Sequence, residues 1–329
     1  MKVAVVILNW NGQKLLEQFL PSVIQCSQDA DVYVVDNAST DDSIAFLKSS
    51  YPKISIIQNT ENGGYAKGYN DALKHVEADV FCLLNSDVEV TKNWLEPIIE
   101  TFQKDTKTAI IQPKILDFKK KNHFEYAGAA GGFIDKFGYP YCRGRIFNTI
   151  EEDQGQYNDS TDIFWASGAC FFIKKDVFYE LNGFDEHFFA HMEEIDLCWR
   201  AKNKGFDIKY VGASKVYHVG GATLKNSSSK KTFLNFRNSL FTLTKNANGF
   251  VLGKIIVRLI LDGVAAAKFL VELKPKHSLA ILKAHFSYYR QLPRVLAQRK
   301  QIKHKNKYYN KTSIVYEYFV KKKSNFNSL

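Results

Sequence analysis

Asp79-Val80-Phe81-Cys82-Leu83-Leu84-Asn85-Ser86-Asp87-Val88-Glu89-Val90 is the stretch on which the fold turns. It begins as a short run with no polar face, the pattern of a strand buried on both sides. It then stops abruptly at Asn85-Ser86-Asp87. Open α/β sheets bind ligands in the crevice outside the carboxyl ends of their strands. Asp87 would stand at the rim of such a crevice. A carboxylate there can hold a divalent metal, and a metal can clamp a diphosphate. The plainer reading is a strand closed by an Asx turn.

Working outward, similar runs occur at Val3–Leu8, Val32–Val35, Ile54–Ile57 and Ala109–Gln112. Helical periodicity lies between them, near Gln13–Cys26, Asp41–Ser49, Tyr65–His75 and Asn93–Phe102. This rhythm predicts an α/β fold with a mostly parallel central sheet and flanking helices. Between Asp117 and Asp162 the rhythm breaks into a segment rich in Gly, Tyr and charge. Loops or a hairpin over the sheet edge are expected there. A helix is predicted over Asp176–Asn182, ending at Gly183, and another over Glu193–Lys204, ending at Gly205.

The polar ends of the first strands carry the candidate chemistry. The first ends Asn9-Trp10-Asn11-Gly12 and the second ends Asp36-Asn37-Ala38-Ser39-Thr40-Asp41. Parallel strands put these clusters on the same edge as Asp87. Asp36 can accept hydrogen bonds from a base or ribose, and capping by Ser39, Thr40 or Asp41 is the structural alternative. The turn Asn62-Gly63-Gly64-Tyr65-Ala66-Lys67 permits close approach to a ligand. No G-x-G-x-x-G occurs, and Gly249 to Gly253-Lys254-Ile255 fails the P-loop pattern in spacing and in its last residue.

A second acidic cluster, Glu193-Glu194-Ile195-Asp196, follows two phenylalanines. Three carboxylates in four residues can raise one pKa and supply a general base. Acidic residues also suit a helix N-terminus for purely structural reasons. His218 ends a strand-like run and, paired with Asp87, becomes a second metal ligand.

Five scattered cysteines with no C-x-x-C fit reduced thiols and argue against a disulfide framework. The apolar start is too short for a signal peptide. Charge is lopsided: residues 225–329 carry 22 Lys+Arg against 3 Asp+Glu, and the rest of the chain is net acidic. Such a tail favours nucleic acid or an anionic membrane surface, or is simply solvated. Within it, Gly249–Leu273 is apolar but holds Lys254, Arg258, Asp262, Lys268 and Glu272, too many charges to span a bilayer. At helical spacing the five fall on one face. The helix is therefore expected to lie in a membrane interface, on the catalytic domain or on a second subunit.

The ordered set V-I-L-N-W-N-G, V-V-D-N-A-S-T-D, N-G-G-Y-A-K-G-Y-N, L-L-N-S-D-V-E-V, G-F-D-E-H-F-F, E-E-I-D-L-C-W-R and Y-H-V-G-G resembles the family-2 inverting glycosyltransferases of the GT-A fold. Within them it is similar to the rhamnosyltransferase-like branch. The likeness covers about residues 1–245, and the order of the motifs is more specific than any one of them. It implies a domain over 1–245, with a nucleotide-sugar half (1–116) and an acceptor half (117–245), followed by a basic helical region (246–329).

The resemblance also implies roles. Asp36 would bind the nucleoside of a UDP- or dTDP-sugar, helped by Asn9, Asn11 and Asn37, while Gly64 and Lys67 would line the donor site. Asp87 and His218 would hold Mg²⁺ or Mn²⁺ on the diphosphate. Glu194 would deprotonate the acceptor hydroxyl, with Glu193 as the alternative base. Trp165, Gly168 and Asp196 would shape or support the acceptor side. Asn85 stands where many relatives carry the first Asp of D-x-D, which removes one charge near the metal. The implied activity is metal-dependent, inverting transfer of a hexose or rhamnose to a glycan or lipid-linked acceptor in cell-surface polysaccharide synthesis. The implied location is cytoplasmic, or peripheral on the inner face of the membrane. Homo-oligomerisation stays open.

Two other classes compete. A nucleic-acid-binding protein would use the basic tail but leaves the acidic clusters unexplained. A nucleotidyltransferase also needs a metal carboxylate in a nucleotide fold. It would carry a basic glycine-rich first loop, whereas V-I-L-N-W-N-G has no Lys or Arg before Lys14.

Overall fold

The computed structural model describes residues 1–220, 228–303 and 307–329. Gly221, the last residue of Y-H-V-G-G, lies outside them. The chain opens with β1 (Val3–Asn9), α1 (Gln13–Cys26), β2 (Asp31–Asp36), α2 (Ser43–Ser50), β3 (Ser55–Gln58), α3 (Gly64–Leu73) and β4 (Val80–Asn85). The apolar runs of β1 and β4 are buried almost end to end, as an interior strand requires. These strands are parallel in the order β4-β1-β2-β3. Asn9 sits opposite Asp36, and Leu8 opposite Asn85. Their polar ends therefore share one edge.

The chain continues through β5 (Val88–Val90), α4 (Glu96–Lys104) and β6 (Thr108–Asp117). The segment expected to leave the rhythm builds a small antiparallel sheet. It consists of β7 (Gly132–Ile134), β8 (Pro140–Cys142), β9 (Arg145–Ile146) and β10 (Thr149–Ile150). β11 (Ser160–Asp162) then joins the rim of the main sheet. β12 (Cys170–Lys174) lies antiparallel between β4 and β6. After α5 (Lys175–Glu180) and α6 (Glu193–Lys204), β13 (Asp207–His218) runs parallel to β6. Two antiparallel steps restore direction, so β13 points the same way as β4. His218 thus arrives at the edge that holds Asn9, Asp36 and Asn85. β5 pairs antiparallel with the end of β13 and sets His218 opposite Val88, beside Asp87.

Three helices follow: α7 (Ser229–Asn246), α8 (Val251–Val271) and α9 (Pro275–Lys300). Among the described residues, no helix is long and apolar enough to cross a membrane. α8 is amphipathic, and the first three charges of its stripe face the protein while Lys268 and Glu272 stay exposed. Lys254, Arg258 and Asp262 are buried. Arg258 bonds Asp262 (2.8 Å) and Ser239 Oγ (2.7 Å), and its guanidinium lies 3.8 Å from the Tyr139 ring centroid. Tyr139 O–H donates to Asp262 at 3.0 Å. Of the three placements expected for this helix, packing on the preceding domain is the one its charges take.

The end of the chain returns to the small sheet. Ile314 N–H donates to Asp135 Oδ2 at 2.9 Å, and Tyr308 O–H to Lys136 O at 2.6 Å. Phe326 packs 5.1 Å from Phe133, and Ile314 joins Tyr141 and Ile146 in an apolar cluster. Part of the basic tail is thus structural. All five cysteines are free.

Candidate active site

The strand-end edge brings Asp87 and His218 together because β5 folds back on β13. His218 Nε2 lies 3.1 Å from Asp87 Oδ1, and Nδ1 lies 3.4 Å from Glu125 Oε1. All three side chains are buried. Burial alone would discharge the imidazole, but Glu125 and Asp87 outweigh it and push its pKa up to about 10. Asn85 Nδ2 stands 3.4 Å from His218 Nε2. Gly220, at a φ of +70°, leaves room that a Cβ would take from Glu125 Oε1.

The second-strand cluster forms a connected polar floor. Asp36 is buried and accepts from Ser39 N–H at 3.0 Å and from Asn9 Nδ2 at 3.4 Å. Asn9 Oδ1 is buried with no partner, so the floor keeps an acceptor available to a ligand. Asn11 Oδ1 accepts from Thr40 N–H at 2.7 Å. Asn37 is fully used: it donates to Asn62 and to Gly64 O and accepts from Asn59. Lys67 pairs with Asp71 and lies 3.6 Å from Glu61. Gly64 has a packing role, since a Cβ there would sit 2.3 Å from Phe189 O. That carbonyl accepts from Tyr65 N–H at 2.8 Å.

The acidic helix is entered through unusual backbone. Phe189, His191 and Met192 all have positive φ, near 64°, 69° and 73°. Non-glycine residues held there carry stored strain, a feature of functional loops. Asn238 of α7 offsets it, its amide donating to the carbonyls of Phe188 (3.0 Å), Ala190 (3.0 Å) and His191 (2.8 Å). Asp196 is buried and takes Lys245 Nζ, Arg200 Nε and Asn246 Nδ2, all within 2.8 Å. Lys245 also reaches Asp185 at 3.0 Å, and Arg294 and Gln298 of α9 complete that cluster. Asp196 is thus a support of the acidic turn. Trp165 is likewise a core residue, its indole N–H donating to Phe133 O at 2.8 Å. Gly168 offers its carbonyl to Tyr65 O–H at 2.9 Å.

Among the described residues, no cation pairs with Glu193 or Glu194. Each has a buried Oε2 with no hydrogen-bond partner. Burial raises the Glu194 pKa to about 7, against main-chain N–H groups that pull it down. Burial and the neighbouring Glu194 hold Glu193 far above the carboxylate range. One carboxyl is therefore neutral at pH 7 and the other is poised there, the property a general base needs. The site is continuous with the strand edge. Tyr65 feels both glutamates and bonds Gly168, whose neighbour Ala169 accepts from Asn85 N–H at 3.0 Å.

A profile of the family described as Glycosyl transferase family 2 matches residues 4–181, more than half of the chain. The chain belongs to glycosyl transferase family 2. A low-salt glycan biosynthesis hexosyltransferase of Haloferax volcanii is 24% identical over 72% of this chain and 73% of its own. An N-acetylglucosaminyl-diphospho-decaprenol L-rhamnosyltransferase of Mycobacterium tuberculosis is 24% identical over 65% of this chain and 75% of its own. Among solved structures, S. aureus TarS 1-349 in complex with UDP-GlcNAc superposes with a TM-score of 0.57 at 16% identity, covering 91% of this chain and 84% of that one. GalNAc-T7 with UDP, GalNAc and Mn²⁺ gives 0.60 at 15% identity, and this chain spans 57% of its length. These likenesses establish a GT-A-like fold with added C-terminal helices.

The Mn²⁺ in the GalNAc-T7 structure raises the question of a metal here. Among the described residues, no three His, Cys, Asp or Glu side chains converge as a complete ligand set. Asp87 and His218 Nε2 form a pair, a hard oxygen beside an imidazole. Mg²⁺ and Mn²⁺ commonly take few protein ligands and complete their shell with phosphate oxygens and water. Glu125, on the far ring nitrogen, is the carboxylate that orients a ligating histidine. The residues fit such a metal with His218 neutral, so binding would expel the Nε2 proton that Asp87 otherwise holds on the ring. Glu125 and Asn238 were missed in the sequence. Glu125 sits in the irregular segment after β6, and an asparagine inside a helix carries no signal of the loop it holds.

Proposed function

We propose that this family-2 protein transfers a sugar from a nucleoside-diphosphate donor to an acceptor hydroxyl, with inversion at the anomeric carbon. The observation that carries the reading is the poised Glu194, its Oε2 without a partner, on a helix start joined through Tyr65 and Gly168 to the strand edge that holds Asp87, His218 and Asp36. Asp36 and the unsatisfied Asn9 Oδ1 offer acceptors to the N–H and O–H groups of a nucleoside. Asp87 and His218 would hold the divalent metal, which supplies positive charge to the departing diphosphate. Asn85, in place of a second carboxylate, leaves that position less negative.

Glu194 accepts the acceptor proton as the hydroxyl oxygen attacks the face opposite the leaving diphosphate. One displacement of this kind inverts the centre. Glu193, held neutral, keeps a second negative charge away from the attacking oxygen. Tyr65 and Asn238 keep the acidic turn at its distance from the strand edge. The glycan and diphospho-decaprenol named for the two relatives support a glycan or lipid-linked acceptor and a place in polysaccharide synthesis.

A panel of UDP-, dTDP- and GDP-sugars tests the reading by thermal shift with and without Mn²⁺, followed by donor hydrolysis. One donor stabilising the protein only with metal, and then releasing nucleoside diphosphate, is the expected result. No response to any donor would overturn it.

A further inference from the structure

The outer face of α8 and α9 is apolar where water would require polar residues. α8 turns Arg258 inward, onto Asp262, Ser239 and the Phe137 and Gly138 carbonyls. What it presents outward is Leu252, Ile256, Ile260 and Val264, with Ile260 62% exposed. α9 continues the surface with Leu279, Leu282, Phe286 and Tyr289, and Phe286 is 73% exposed. At the hairpin tip, Val271 and Leu273 are more than four-fifths exposed. A soluble surface seldom carries so long an apolar stripe without a use for it. α8, at 21 residues, is about 30 Å long.

Charge selects what covers it. Of the ten Lys+Arg in residues 251–300, Lys268, Lys274, Lys276, Lys283, Arg290 and Lys300 are exposed, and the same span holds two acids. One acid, Asp262, is buried under Arg258, and the other, Glu272, is tied to Lys268 and Lys274. A second copy would bring an equally basic face against this one and be repelled. An anionic bilayer would attract it, with the apolar stripe entering the headgroup boundary. A cleft of about 440 Å³ between α7 and α9 adds a specific feature. Its walls are Phe233, Leu279 and Ala280, and Lys230, Lys276 and Lys283 surround it. Three ammonium groups over apolar walls suit a lipid phosphate and its glycerol stem.

We propose that the α8–α9 face lies in the plane of an anionic phospholipid membrane, with a lipid headgroup phosphate in the Lys230–Lys276–Lys283 cleft. The docking does not depend on the transfer chemistry. It places the acidic turn close to the surface, because the Lys230 ammonium lies 4.9 Å from the Phe189 ring centroid. Phe189 begins the loop that leads to Glu194.

The test is co-sedimentation of the full chain with vesicles of phosphatidylcholine alone and of phosphatidylcholine with phosphatidylglycerol. Binding is expected to the anionic vesicles and to fall steeply with salt. The Ile260→Glu, Val264→Glu pair changes only exposed side chains. It should reduce vesicle affinity by at least about tenfold while leaving the melting temperature and donor hydrolysis unchanged. Lys276→Glu with Lys283→Glu should lower the anionic preference by more than about tenfold. The proposal is overturned if the wild-type chain ignores anionic vesicles, or if the Ile260/Val264 pair binds them as well as wild type. It is equally overturned if sedimentation equilibrium shows a dimer that the same pair dissolves and lipid leaves untouched. Loss of vesicle binding with donor hydrolysis intact separates this result from failure of the transferase reading.

Discussion

Replacing Glu194 by Gln should make the protein more stable and nearly inactive. The carboxyl ordinarily titrates near 4.5, and burial raises it to about 7. For an acid raised in this way the folded state binds the extra proton, so wild-type stability falls as pH climbs from the lower value through the higher. Once Glu194 is charged, the folded state bears a penalty of about 3 kcal/mol. Residual solvent contact at the mouth of the site reduces this to about half. Gln carries no charge and escapes the penalty. Its melting temperature should exceed that of wild type by about 3 °C at pH 8, and the gap should close near pH 5.

Activity moves the other way. Loss of a general base costs about 100- to 10,000-fold in rate, measured as nucleoside diphosphate released from the preferred donor with acceptor present. Donor-dependent thermal shift should persist. Wild-type turnover should rise with pH through about 7 and level off above it, because only the deprotonated carboxylate can take the proton. A Gln variant that turns over normally, or that loses stability at pH 8 relative to pH 5, would refute the assignment of an uncompensated, poised base.

Asp87→Ala should abolish the metal-dependent part of donor stabilisation in thermal shift and, by taking one carboxylate from the buried His218, lower metal-free stability by about 3 kcal/mol; unchanged Mn²⁺ dependence would remove Asp87 from the metal site. Asn238→Ala removes the amide that ties the strained turn to α7 and should lower kcat at least about tenfold with little change in donor KM, since the donor floor lies on other elements. An equal loss in both parameters would contradict its role in positioning Glu194. Arg258→Met alone leaves the buried Asp262 with only Tyr139 and His285 and should cost about 3 kcal/mol in denaturant unfolding. Arg258→Met with Asp262→Leu should recover much of that, and a double variant as unstable as the single would show that the pair is more than a matched burial.

The strands of the first half were legible because buried parallel strands write continuous apolar runs, and β1, β2 and β4 lie within a residue of their expected limits. α6 and its stop at Gly205 were equally plain, since Gly205 sits at a φ of +101° where other residues are strained. Asp36 and Asp87 could be placed on one edge from strand direction alone, whereas His218 reaches it only through two antiparallel steps. What brings Asp87 to His218, however, is β5, three residues whose pairing partner lies more than a hundred positions away. The small sheet was unreadable for the same reason: its strands are two or three residues long and carry no period. The charged stripe of α8 was seen, but periodicity alone does not say which stripe of a helix faces its neighbour. Arg258 turned inward because Asp262, Tyr139 and Ser239 were there to satisfy it.

The contacts of Ile314 and Phe326 with the small sheet set an order on folding. Their partners Asp135, Tyr141 and Phe133 are synthesised about 170–190 residues earlier. The nucleotide-side strands can close as soon as β4 emerges, whereas this corner waits for the last few residues of the chain. During synthesis its aromatic face stays open to solvent until Ile314 and Phe326 arrive. Removing the final twenty residues would leave that interval permanent.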